Sequence, residues 1–217
     1  ISINIELHEM WYLYPFYIFE LADRNFNVWW EEQERSLKRI NYGGRLTWLN
    51  LTGRRDLLKA TIQFGYTKKF ELSYNRPMLG KSQNLGGFAE IHYSNRKEIA
   101  YITKDSRLLF KRQFGEPSLL TRFRLGAGVS YRQGLNKYHT GKIIFSDNSI
   151  GDTISQTLNP DYFLESRNQQ QHFTLQYAFT LDKRDVKAYP QDGNLFTLLL
   201  QKDGFGLFDD LNIFAAT

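Results

Sequence analysis

From about residue 41 onward, apolar and polar side chains alternate with a period of two, the repeat of an extended strand with one oily and one wet face. Leu58, Ala60, Ile62, Phe64 and Tyr66 fall on one face, and Lys59, Thr61, Gln63, Gly65 and Thr67 on the other. Phe70, Leu72 and Tyr74 alternate with Glu71, Ser73 and Asn75, and Leu85, Gly87, Ala89, Ile91 and Tyr93 with Gly86, Phe88, Glu90 and His92. The longest example sets Leu119, Thr121, Phe123, Leu125, Ala127, Val129 and Tyr131 against Arg122, Arg124, Gly126, Gly128, Ser130 and Arg132. The pattern predicts about ten strands, over 16–28, 41–52, 57–67, 69–78, 84–95, 98–112, 118–133, 169–182, 194–203 and 208–217. No sustained 3.6-residue period competes with it. Residues 29–35 include good helix formers but are too few to change the fold class, and 31–38 reads as an external loop or a short helix.

The breaks between strands predict an antiparallel meander. Short turns fall at 52–56, 79–82, 114–117 and in the run Asp182-Lys183-Arg184-Asp185. The opposite side carries 67–69, 94–97 and one long loop over 134–168. Short turns on one side and longer loops on the other are the asymmetry of an outer-membrane barrel. The strands also exceed the usual length of about five or six residues and reach the roughly nine to eleven that a tilted membrane strand needs. Aromatic residues, 16% of the chain, gather near strand ends: Trp11, Tyr12, Tyr14, Trp29, Trp30, Tyr66, Tyr74, Tyr93 and Tyr131 among them. Arg122, Arg124 and Arg132 in line are costly on a lipid face and tolerable in a wet lumen, where carboxylates such as Glu71 and Glu90 are their expected partners. A soluble β-sandwich alternates as well and stays open as the alternative. The expectation is an all-β antiparallel meander forming part of a transmembrane β-barrel.

Composition adjusts this picture only slightly. Mean hydropathy is −0.49, and no run approaches the ~18 apolar residues of a membrane helix. Barrel strands show lipid only every second residue, so this does not argue against a membrane. The absence of cysteine excludes disulfides and thiolate sites. His8, His92, His139 and His172 lack ligand spacing, so neither metal nor cofactor is expected. The net charge of +5 is spread along the chain and predicts no nucleic-acid partner. No nucleophile triad, carboxylate pair or phosphate loop stands out, and no enzyme activity is expected. The chain starts at Ile1 and stops inside a strand-like Ala215-Ala216-Thr217, which reads as a piece of something longer.

Several motifs carry a family resemblance. Trp11-Tyr12-Leu13-Tyr14-Pro15, the segment from Phe19 to Trp30, Arg39-Ile40-Asn41-Tyr42-Gly43 and Asn50-Leu51-Thr52-Gly53-Arg54 resemble the start of the barrel in BamA-like surface antigens of the Bacteroidetes type. Asp182, Arg184, Asp185, Pro190 and Gly193 match the D-x-R-D…P-x-x-G turn of the same barrels, and the segment 1–7 resembles the last strand of a polypeptide-transport-associated (POTRA) domain. The resemblance implies a boundary, with 1–14 ending the last POTRA domain and 15–217 forming the N-terminal part of a sixteen-stranded barrel. It implies an integral outer-membrane protein with a periplasm-facing N-terminus that folds and inserts client barrels. Its partners would be outer-membrane lipid, unfolded client outer-membrane proteins and accessory lipoproteins. The implied mechanism is strand pairing at a lateral gate, with the first strand (Phe16, Ile18, Glu20, Ala22, Arg24, Phe26, Val28) offering its backbone to clients. Glu20, Asp23, Arg24 and Asn25 fit a weak strand there. A secretion or translocation pore of the same superfamily, or the barrel anchor of a patatin-like surface enzyme, remain the alternatives. The family's sixth-loop motif and closing strands would lie beyond residue 217.

Overall fold

The structure, a computed structural model, describes residues 6, 10–23, 25–113, 118–206 and 210–217. Most of 1–14, the expected POTRA tail, and all of the expected turn 114–117 lie outside them. Ten strands form one antiparallel sheet: β1 (Leu13–Leu21), β2 (Ile40–Leu49), β3 (Leu57–Gly65), β4 (Thr67–Leu79), β5 (Leu85–Arg96), β8 (Leu120–Gln133), β9 (Lys137–Ile150), β10 (Gln169–Asp182), β11 (Leu195–Asp203) and β12 (Ile213–Ala216). Each pairs with its neighbour in chain order, except that β5 meets β8 directly. The remaining two, β6 (Glu98–Lys104) and β7 (Arg107–Arg112), make a separate hairpin. Among the described residues β1 and β12 are the two outermost strands of this sheet.

The register turns the sequence alternation into two faces. One row across the sheet reads Pro15, Leu46, Ala60, Leu72, Ile91, Leu125, Phe145, Phe173, and the next reads Leu13, Trp48, Leu58, Tyr74, Ala89, Ala127, Ile143, Leu175. Neither contains a charge. A row on the opposite face reads Phe16, Arg45, Thr61, Glu71, His92, Arg124, Ser146, His172. The apolar face is open over a wide area, with Val129 and Ile143 at least half exposed. A contiguous bare apolar surface of this kind marks a face built for lipid or for another protein.

The count of ten sheet strands agrees with the sequence, but two of its members differ. Residues 98–112 are not one strand of the wall. Asp105 and Ser106 both take positive φ, 49° and 59°, and such a pair folds the segment back as a two-residue hairpin. Conversely, 137–150, read as part of a long loop, is a 14-residue strand paired on both sides. Its alternation is broken because Ile143, Ile144 and Phe145 are consecutive, while His139 and Asp147 stand on the apolar face. The first strand also ends earlier than expected, at Leu21 instead of residue 28, and Val28–Glu32 is a π-helical turn.

Connections fall into two sets. At one end lie 50–56, 80–84, 134–136 and 183–194; at the other lie 22–39, residue 66, the β6–β7 hairpin, 151–168 and 204–212. At this second, long-loop end the polar face turns apolar. Leu120 and Ile150 pack with Ile99 of the hairpin, Leu119, Ile154 and Phe163 into a small core, all at most 9% exposed. Burial of each is worth about 1.5–3 kcal/mol, which seats the hairpin and the 154–163 segment over that end of the polar face.

Candidate functional site

Among the described residues β1 pairs with β2 alone. The Tyr12 carbonyl accepts from Leu49 N–H at 2.7 Å, and Ala22 N–H donates to the Arg39 carbonyl at 2.8 Å. In antiparallel pairing, backbone groups alternate in direction residue by residue. Even-numbered residues of β1 therefore aim their N–H and C=O at β2. Odd-numbered Leu13, Pro15, Tyr17, Phe19 and Leu21 aim theirs away from it. Pro15 has no N–H, and this is the side of an edge strand on which proline costs the sheet nothing. The Tyr17 side chain lies on the apolar face.

The residues expected to form a client-pairing strand thus divide. Phe16, Ile18 and Glu20 lie in β1 with their side chains on the polar face and their backbones committed to β2. Ala22 follows the strand in a bend, and Arg24 lies outside the described residues. Phe26 and Val28 belong to the helical turn, a correction to the expected strand. There the Phe26 ring stacks on Trp30 at 5.3 Å, and Arg35 covers Trp30 at 3.7 Å. Val28 N–H donates to Asn25 Oδ1 at 2.9 Å.

What ends β1 is a buried polar chain. Arg39 is 2% exposed and its Nε donates to both oxygens of Asp23, at 3.0 and 2.8 Å. Arg39 Nη1 donates to the Tyr66 hydroxyl at 3.2 Å, and that hydroxyl donates to Glu98 Oε2 at 2.6 Å. Arg112 Nε closes the chain on Glu98 Oε1 at 2.8 Å. The loop after β1, the start of β2, the β3–β4 turn and the β6–β7 hairpin are thereby tied together. The hydrogen bond to Asp23 raises the Arg39 guanidinium further above its ordinary value. Burial, then the bond to Glu98, pushes the Tyr66 phenol up to about 12. Sequence reasoning missed this cluster. Tyr66 continued an apolar alternation, and no spacing links Asp23 to Arg39 and Glu98. Gly65 permits the approach: with φ +106°, it lies so near β2 that a Cβ would stand 2.0 Å from the Ile40 carbonyl.

The polar face forms a groove of about 560 Å³ whose walls include Arg45, Lys59, Glu71, Glu90, His92 and Arg124. Arg122 and Arg124 do point to this face, but the expected ion pairs with Glu71 and Glu90 do not form. Glu71 is held by Lys69 at 3.0 Å and by His92 Nδ1 at 2.9 Å, and Glu90 by Lys142 at 2.7 Å. The register explains the miss. Glu71 faces His92 directly, while Arg124 is one strand further away, beyond His92. Arg132 lies on the same face near the short-turn end, opposite Tyr138, and its Nε is buried without a hydrogen-bond partner. Among the described residues no group of three or more His, Asp or Glu side chains is placed to hold a metal ion.

The D-x-R-D segment opens the 183–194 connection. Arg184 grips Asp182 with two bonds, Nε to Oδ1 at 2.8 Å and Nη2 to Oδ2 at 3.0 Å. Asp185 instead accepts the backbone N–H groups of Gln191 and Asp192 at 3.1 and 3.2 Å. Arg184 therefore pairs with one of its flanking aspartates, and the other closes the loop. Backbone donors, Val186 first and then Asp192, hold the Asp185 carboxyl below its ordinary range. Gly193, at φ +92°, stands where a Cβ would lie 2.1 Å from the Lys183 carbonyl. Pro190 is exposed in the loop.

Residues 50–215 match the Omp85 superfamily domain. The chain belongs to the Omp85 superfamily. No curated protein matches it. Among solved structures it is similar to BamA from Haemophilus ducreyi lacking POTRA domains 1–3, with a TM-score of 0.51 and 10% identity. That likeness covers 79% of this chain and 32% of the BamA chain, so the chain spans about a third of that structure's length. At this identity the likeness concerns the fold, and the fold is the ten-stranded antiparallel wall described above. As an Omp85 barrel the protein is integral to the outer membrane. In such a barrel, uncharged rows suit the lipid side and a charged row such as that of Arg124 suits the inner side.

Proposed function

We propose that this chain is the first part of the barrel of an outer-membrane assembly factor and that the side of β1 facing away from β2 receives strands of client barrel proteins. The observation that supports the reading is the parity of β1: the backbone groups of Leu13, Pro15, Tyr17, Phe19 and Leu21 point away from β2, toward the side where a further strand would pair, and Pro15 leaves that pairing one donor short. In lipid an unpaired edge is expensive, because no water replaces the missing partner. A client strand with free backbone groups of its own relieves both costs by augmenting the sheet. In this reading the short-turn end, where β1 begins, faces the periplasm, and clients arrive from there with accessory lipoproteins. No covalent chemistry is involved.

The test is site-specific photo-crosslinking in the full-length protein during client insertion. Probes at Leu13, Tyr17 and Phe19 should capture the client's terminal strand. Probes on the lipid face of β9, such as Ile143, should not. Absence of client adducts all along β1 would refute the proposal. A second reading, a translocation pore of the same superfamily, draws on Arg122 and Arg124, which among the described residues have no carboxylate partner because Glu71 and Glu90 are held by other cations. A steady anion-selective conductance of the reconstituted protein, with no effect on client folding, would favour it.

A further inference from the structure

Two neighbouring connections at the short-turn end, 50–56 and 80–84, flank a cavity of about 500 Å³. Its lining includes Gly53, Arg54, Arg55, Arg76, Gly80 and Lys81, four cations and no carboxylate. The nearby acid does not neutralise them. Asp56 is 1% exposed and is occupied by Thr52 N–H at 3.0 Å and the Tyr74 hydroxyl at 2.9 Å. Arg76 Nε is buried without a hydrogen-bond partner. A buried guanidinium N–H left unpaired is costly, and an anionic oxygen is the group that best satisfies it. Several convergent cations, most of them forked guanidiniums, suit a phosphate group, which offers several oxygens to several donors.

The position of the cavity identifies the source of that phosphate. Arg76 is on the lipid side of β4, two residues beyond Tyr74, which stands in the uncharged row with Trp48 and Leu58. Two strand residues advance about 6.8 Å. The cluster therefore begins one step outside the aromatic edge of the oily belt, at the depth where headgroup phosphates lie. The register shift between Arg76 and Leu79, with Pro77 inside it, opens the strand pairing there. We propose that this cavity binds a phosphate group supplied by the headgroup of an anionic membrane lipid.

Native mass spectrometry of the full-length protein in detergent tests this. The added probes are dioleoyl phosphatidylglycerol, dioleoyl phosphatidylcholine and inorganic phosphate. The wild type should retain phosphatidylglycerol at least tenfold better than either of the others. The variant carrying Arg54→Gln, Arg55→Gln, Arg76→Gln and Lys81→Gln should lose at least fivefold of that retention. A control with Lys97→Gln, Lys104→Gln, Arg107→Gln and Lys111→Gln at the long-loop end should keep it. Equal loss in the control reduces the effect to net charge and overturns the site. Tight retention of inorganic phosphate overturns the lipid as its source. Folding of each variant is read from heat-modifiable gel migration. A triple variant that leaves Arg76 in place serves if the quadruple one does not fold, and unchanged lipid retention there overturns the proposal.

Discussion

The Asp23 carboxylate and the Arg39 side chain are 3% and 2% exposed, so neither charge has water to fall back on if its partner is removed. Arg39→Met would strand Asp23 and cost about 3–5 kcal/mol, the range for breaking a buried pair. The double variant Asp23→Leu/Arg39→Met should recover much of that loss, because no charge is then left buried. Denaturant unfolding of the detergent-solubilised protein would show whether the two substitutions couple. Tyr66 gives the same cluster a pH signature. Its folded value, near 12, is above the ordinary tyrosine value of about 10, so its stabilisation is complete below pH 10 and is lost as pH rises toward 12. Tyr66→Phe should remove that alkaline loss while lowering stability at pH 7. A wild type whose stability is flat from pH 10 to 12 would contradict the assignment. Within β1, parity makes a residue-scale prediction. Tyr17→Pro removes one N–H that points away from β2, as Pro15 already does, and leaves the β1–β2 ladder whole. Client insertion should slow by roughly two- to tenfold, the worth of one hydrogen bond. Tyr17→Ala should change it much less.

At the scale of elements, the 183–194 connection and the β6–β7 hairpin differ in what holds them. The first depends on Gly193, whose φ of +92° and 2.1 Å clearance to the Lys183 carbonyl leave no room for a side chain. Gly193→Ala should cost on the order of 1–3 kcal/mol, as a strained backbone position does, and thermal unfolding would register it. This turn was legible in the sequence because its residues carry their own geometry: Asp185 accepts the backbone N–H groups of Gln191 and Asp192 further along the loop, and Gly193 supplies the left-handed bend. The apolar faces of β3, β4, β5 and β8 were legible for a similar reason, since lipid on one side and water on the other enforce strict alternation. Where that contrast fails, the reading failed. β9 carries His139 and Asp147 on its outer face near its two ends, where the oily belt gives way to the polar margins, and it lost its pattern. β6 and β7 lie off the wall and obey no belt, and their turn uses Asp105-Ser106 in place of the Asn-Gly that marks such hairpins. The end of β1 was hidden because it is set by Arg39, a contact 16 residues away in sequence.

For the whole molecule, the decisive property is that adjacent residues of one strand meet different solvents. Leu125, midway along β8, is in an uncharged row between Ile91 and Phe145, and Arg124 beside it is in the charged row between His92 and Ser146. In a sandwich both faces of this strand would meet either water or a dry protein core, and a charge on the core-facing side would meet neighbouring side chains. In an outer-membrane wall the apolar side meets hydrocarbon, where an arginine near the midplane costs about 2–4 kcal/mol. Leu125→Arg should therefore destabilise the barrel by that amount in lipid vesicles. Arg124→Leu should change stability little, because Glu71 and Glu90 already have other cations and lose no partner. The substitutions also separate by accessibility. A cysteine at 124 should react with a water-soluble maleimide in the folded barrel, and one at 125 should be shielded from it and quenched by bromine-labelled lipid tails. Equal reactivity at the two positions would mean that the wall does not divide lumen from lipid, and the assignment of faces, with everything built on it, would fail.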